Sequence, residues 1–183
     1  MSRGLIIYYS LTGHTREVAE DLALRSGWDL AEIRDDRPRQ GAWGIVRSVL
    51  EAVFGQCPKI HYRGPHPRQY DLVVIATPNW CGRLASPVRT FVREYGDWFG
   101  RVGIVVTTGG LPVGSRVPGH LEDLLGWPLE AQLVVLDSEI EGEQYHDRMM
   151  ALVERLDADA RRKEGLASRN DDSSVVACSG IHA

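Results

Sequence analysis

The chain has 183 residues, 43% of them hydrophobic and 25% charged, the balance of a soluble globular protein about one domain long. A net charge of −4 argues against nucleic acid as a partner, and apolar runs such as LVVIA are too short to cross a bilayer. Cys57, Cys81 and Cys178 are few, odd in number and far apart, which suits a reduced cytoplasmic setting rather than a disulfide framework.

The start, MSRGLIIYYS, enters a strand at once, with no leader-like apolar region and cleavage site, so no signal peptide is expected. Leu5–Tyr9 is apolar and β-prone. Thr15–Ser26 places Val18, Ala19, Leu22 and Ala23 on one face of a helix, with acidic residues early where they suit the macrodipole. Trp28–Ile33 reads as a second strand and Trp43–Phe54 as a second helix, ended by Gly55. Residues 56–69 read as a Pro/Gly/His surface linker.

Tyr70–Thr77 has the near-continuous apolar run of a strand buried on both faces. PNWCGRLASP reads as a loop, and Val88–Tyr95 as a third helix with Pro87 near its first turn. Val102–Thr107 is a fourth strand, followed by the loop TTGGLPVGS. Arg116–Leu125 is a short helix, Leu133–Asp137 a fifth strand and Gln144–Lys163 the last helix. Residues 164–183 are small and polar and read as a disordered tail, leaving residues 1–163 as a single domain. The six histidines are scattered, and no metal site is expected.

Strands alternating with helices predict a doubly wound α/β fold with a five-stranded parallel sheet. In such sheets ligands bind outside the carboxyl ends of the strands. That rule selects the loops 10–15, 77–86 and 107–115, which are also rich in Gly, Ser, Thr, Asn and Pro.

The first of these, SLTGHT, opens a helix. Free N–H groups at a helix start attract anions, Ser10, Thr12 and Thr15 can add hydroxyl donors, and Gly13 allows close approach. The Walker lysine is absent, and so is the GxGxxG of dinucleotide folds. A neutral cradle for one terminal phosphate remains. An ordinary N-cap followed by a turn would use the same residues.

YYSLTGHTREVAEDLA resembles the phosphate loop of the flavodoxin family, and VVIATPNWCGRLASPV resembles that family's third-strand segment. The resemblance spans roughly residues 4–160 and implies a flavodoxin-like sheet in the order 2-1-3-4-5, with bound flavin mononucleotide (FMN). The phosphate ligands it implies are Ser10, Leu11 through its backbone, Thr12, Gly13, His14 and Thr15. Thr77, Pro78, Asn79, Trp80, Cys81 and Gly82 would form the second flavin loop. Trp80 would stack on the ring, or else pack inward on the sheet. Gly82 would allow a peptide flip that stabilises the one-electron-reduced flavin. Thr107, Thr108, Gly109 and Gly110 would wrap the pyrimidine edge, or simply make a tight strand–helix turn. Cys81 reads as a small neutral loop residue, with no second cysteine to complete a disulfide cycle.

Three departures from the family pattern stand out. TTGGLPVGS has no aromatic residue to cover the second flavin face, so Leu111 or Pro112 must serve, or that face stays open to a second substrate. The chain is only mildly acidic, although Asp137, Glu139, Glu141 and Glu143 cluster after strand five as a solvated helix start or a docking patch. The 35–69 connection is long and carries Arg37, Arg39, Trp43 and Arg47. The resemblance implies an FMN electron carrier working with redox partner proteins, monomeric or weakly dimeric. The alternatives are an FMN-dependent NAD(P)H–quinone oxidoreductase on the same fold, and a binding module that has lost its flavin. A receiver domain would need an aspartate where Thr77 stands, and a low-molecular-weight tyrosine phosphatase a cysteine-and-arginine loop after strand one.

Overall fold

Leu72, Val73, Val74, Ile75 and Ala76 are apolar without a break, and each is fully buried in the computed structural model, which describes residues 3–35, 58–110, 116–142 and 144–158. A strand with no polar face must lie inside a sheet covered on both sides. This one, β4 (Leu72–Trp80), lies between β1 (Gly4–Tyr8) and β6 (Arg101–Thr108), parallel to both. On the far side of β1 runs β2 (Asp29–Asp35), and on the far side of β6 runs β7 (Ala131–Leu136), again parallel.

Side chains alternate across the sheet and feed two cores. Leu5, Ile7, Val73 and Ile75 join α2 (Ser86–Tyr95) and α3 (Val117–Leu125) through Val88, Phe91 and Leu121. Ile6, Tyr8, Val74 and Val105 join α1 (His14–Ser26) through Val18 and Leu22. The same core takes Ile140 of α4 (Asp137–Glu141), and Met149 and Leu156 of α5, helical over 146–158. No helix among the described residues is long and apolar enough to cross a membrane.

The parallel strands follow the expected order 2-1-3-4-5, but among the described residues two short antiparallel strands bring the sheet to seven, against the five expected. The stretch read as a linker holds β3 (Ile60–Tyr62), which pairs antiparallel outside β2, and a single 3-10 turn at Pro67–Gln69. Three residues are too few to show a period, and Tyr62 is held by packing, its ring 4.7 Å from that of Phe91. The stretch read as a second-loop coil continues β4 as far as Trp80 and folds back as β5 (Arg83–Leu84). The fifth parallel strand stops at Leu136, and Asp137 starts a helix instead. The helix expected over Trp43–Phe54, the tail 164–183, and Cys57, Cys178, Leu111 and Pro112 lie outside the described residues.

Gly4 lies tight against the indole of Trp28, which stands between α1 and β2. A Cβ there would sit 2.6 Å from two ring atoms of Trp28, so the indole lies directly on the backbone of β1. Gly4→Ala is expected to destabilise the fold by about 1–3 kcal/mol through overpacking. Urea denaturation would measure it, and an unchanged midpoint would mean that Trp28 moves aside freely.

Candidate functional site

β1, β4 and β6 are neighbours, so their carboxyl ends bring the three selected loops side by side. In the first loop, the Tyr9 N–H still donates to the Ala76 carbonyl at 3.1 Å, and the chain then bends. The Gly13 N–H donates to Ser10 Oγ at 3.1 Å, which closes the loop and leaves the serine O–H to point elsewhere. Gly13 itself is the N-cap of α1, at φ 110°, a conformation that only glycine takes without strain. Nothing lies within 4 Å of where its Cβ would be.

Among the described residues, no side chain caps α1. The ordinary Ser/Thr cap is therefore not what this loop provides, and the first N–H groups of the helix keep their donor capacity. Thr12 is exposed and Ser10 half-buried at the rim, with Leu11 partly packed on the core. Thr15 was expected among the rim hydroxyls, but it turns inward. It is 2% exposed, with its Oγ1 2.7 Å from Thr107 Oγ1. The pair fastens α1 to β6. Its position on the buried face follows from the helical period, one residue after His14 and three before Val18.

The second loop is a hairpin. Trp80 pairs with Arg83 across a two-residue connection, Cys81–Gly82, with φ 51° and 78°. Two positive φ values in a two-residue link suit a type I′ turn, where the first position usually falls to Asn, Asp or Gly. Asn79 braces the turn: its Oδ1 accepts the Gly82 N–H at 2.7 Å and its Nδ2 donates to Thr108 Oγ1 at 3.4 Å. Thr77 is fully buried and donates to the Pro78 carbonyl, and Pro78 stands opposite Thr107 in register. Trp80 packs inward, with its ring edge-on to Tyr9 at 5.7 Å and 7% exposed. The structure thus follows the inward alternative for this residue rather than an exposed stacking face.

In the third loop, Thr108 Oγ1 also accepts the Gly110 N–H at 3.4 Å, and Gly110 has open space where a Cβ would be. Gly109 is different. A Cβ there would lie 2.8 Å from Asp137 Oδ2, and the same oxygen is 3.0 Å from His14 Nδ1. Asp137 therefore joins the first loop, the third loop and the end of β7. Sequence reasoning saw it only as part of an acidic cluster. Its place directly after the fifth parallel strand was the available signal. Glu139 is also engaged internally, accepting the Leu136 N–H at 2.8 Å and pairing with Arg148 at 2.7 Å. Burial pushes its carboxyl up, but these two contacts outweigh it and hold the group below its ordinary value.

A pocket of about 350 Å³ lies beside the hairpin turn, lined by Cys81, Gly82, Arg83, Arg116, His120 and Asp123. His120 Nδ1 accepts the Leu84 N–H at 3.3 Å, so the neutral ring carries its proton on Nε2. Burial, then the Arg89 and Arg83 guanidinium groups, hold the imidazole below its ordinary value. This pocket was missed in the sequence, although Arg116, His120 and Asp123 have the spacing of one helix face. A larger cavity, about 650 Å³, lies along β2 and β3 with Glu32, His61 and Arg63 in its wall.

Cys81 is a non-glycine residue in the left-handed region, which costs about 1–2 kcal/mol. Cys81→Asn is expected to stabilise the fold by about 0.5–1 kcal/mol in chemical denaturation. A loss of stability would mean that the thiol makes a contact worth more than the turn strain.

The flavodoxin family model matches residues 3–125. An NAD(P)H dehydrogenase (quinone) from Acidithiobacillus ferrooxidans is 30% identical over 121 residues, 57% of this chain and 56% of that protein. The chain thus spans little more than half the length of that relative. A flavoprotein from Lactobacillus acidophilus, crystallised in complex with FMN, superposes with a TM-score of 0.65 at 23% identity, over 78% of this chain and 98% of its own. The NMR structure of the apo-form of the flavoprotein from the same organism gives 0.58 at 24% identity, over 77% and 96%. These structural likenesses concern the fold. The family match is what identifies the chain: it runs from β1 to the end of α3, across all three rim loops, and the chain belongs to the flavodoxin family.

Proposed function

We propose that this chain binds FMN at the carboxyl rim and acts as an FMN-dependent oxidoreductase, passing electrons from a reduced nicotinamide to a quinone-like acceptor. The rim fits a flavin phosphate. The start of α1 offers uncapped N–H groups, Gly13 leaves the approach open, and Ser10 and Thr12 keep hydroxyls there. The Asp137 carboxylate at this rim lies 3.0 Å from His14 Nδ1. Gly82 and Gly110 line the approach to the second and third loops without side-chain bulk.

The observation that carries the enzymatic reading is the inward packing of Trp80 against Tyr9. A flavin ring laid on the rim then has no indole over it, and a second flat molecule can stack on the open face. The named activity of the Acidithiobacillus relative supports the same reading. Bound FMN supplies a two-electron acceptor that can be reoxidised. The net reaction joins NAD(P)H, a proton and a quinone to give NAD(P)⁺ and a hydroquinone. The protein's part is to orient the ring and hold the substrate beside it. A second reading, one-electron carriage between partner proteins, is favoured by the positive φ of Gly82, which suits a peptide flip at the flavin.

Added FMN is expected to bind one to one, with quenched flavin fluorescence, and Gly13→Ala to weaken it about tenfold through backbone strain. Under anaerobic conditions NADPH or NADH should bleach the bound flavin and a quinone should restore its colour. Bound flavin that neither nucleotide reduces would transfer the proposal to the electron carrier. Absence of FMN binding would overturn both readings.

A further inference from the structure

We propose that the pocket between the Cys81–Gly82 turn and α3 is the seat of the redox substrate's oxyanion, a phosphate or a carboxylate, gripped by Arg83 and Arg116. This rests on the oxidoreductase reading above and gives that site its substrate class.

Two elements build the pocket. The hairpin turn supplies Arg83, and one face of α3 supplies Arg116, His120 and Asp123. They meet closely: a Cβ on Gly82 would lie 4.0 Å from the Cβ of Arg116. The wall therefore carries two guanidinium groups against one carboxylate. Among the described residues, no carboxylate is ion-paired with Arg83 or Arg116. Both side chains are exposed and free to close on a ligand. His120 contributes a neutral ring that accepts from the Leu84 N–H and keeps Nε2–H as a donor. Arg116 is also the N-cap of α3, so that helix begins beside the same space, and among the described residues no side chain caps it.

Donors thus outnumber acceptors in the pocket, and the missing partner is an anion. Guanidinium groups match the planar or branched oxygens of carboxylate and phosphate in two-point contacts. The volume, about 350 Å³, is at the small end of ligand sites and suits an anionic group rather than a whole ring system. The turn forming one wall is the one assigned to the flavin, so a substrate anchored here by its charge would have its reacting part over the rim. This arrangement also runs opposite to an acidic docking patch: the charge beside the turn is positive.

The test is calorimetric titration of the FMN-loaded and FMN-free protein with two probes, inorganic pyrophosphate and benzoate. Wild type is compared with Arg83→Gln, Arg116→Gln and the double variant. At least one probe should bind wild type. Each single variant should weaken it about tenfold and the double variant about a hundredfold, while FMN affinity stays within about twofold. Both arginine side chains are exposed, so matching thermal midpoints are expected and serve as the check on folding. Binding of pyrophosphate alone assigns a phosphate-bearing substrate, and binding of benzoate alone a carboxylate-bearing one. The proposal is overturned if neither probe binds, or if binding survives in the double variant. Failure to bind FMN would instead count against the function proposed above, and titration of the FMN-free protein would still decide the pocket.

Discussion

In a parallel sheet every strand ends at the same edge, and the rest of this molecule follows from that constraint. β1, β4 and β6 lie side by side, each with an unbroken buried run through its middle, and the buried polar residues of β4 and β6 gather towards their carboxyl ends. Three loops with no sequence relation to one another become a single rim. The buried hydroxyl pair Thr15–Thr107 and the brace from Asn79 to Thr108 and Gly82 fix the spacing between those loops. Thr15–Thr107 and Asn79–Thr108 join residues far apart in the chain, and the second depends on the register of β4 against β6. These contacts hold the described parts of the three loops in place, which lowers the ordering cost of binding.

The long elements were legible in the sequence because each carries a period or an unbroken apolar run. β1, β4, β6, α1 and α3 fall within a few residues of where hydrophobicity placed them. The parallel order was legible too, through the resemblance carried by SLTGHT. What escaped was local. β3 and β5 are three and two residues long, too short for a pattern, and they exist because a neighbouring strand edge offers hydrogen bonds. The hairpin at Cys81–Gly82 was hidden because a cysteine occupies a position where turn chemistry leads one to look for asparagine.

The candidate site divides in the same way. Backbone features, such as an open glycine at a helix start, could be read from composition and position. Side-chain direction could not. Thr15 and Trp80 both carry the right chemistry for a ligand, and both point into the protein. Asp137 and the Arg83–Arg116–His120 group arise from elements brought together only by folding. The rim that results has no lysine or arginine in the loop where the phosphate would sit, and two arginines beside the hairpin turn. A neutral phosphate cradle avoids binding every passing anion through charge alone, whereas two guanidinium groups beside the reacting ring select for an anionic substrate. The two halves of the site would thus discriminate by different physics, one by shape and one by charge.

An amide NMR titration of the whole chain with FMN tests whether the start of α1 receives the flavin phosphate. Stoichiometric, saturating shifts are expected at Gly13, His14 and Thr15, with accompanying shifts at Gly82 and Gly110. Shifts confined to the cavity along β2 and β3, with the amides of α1 unmoved, would contradict that placement of the phosphate.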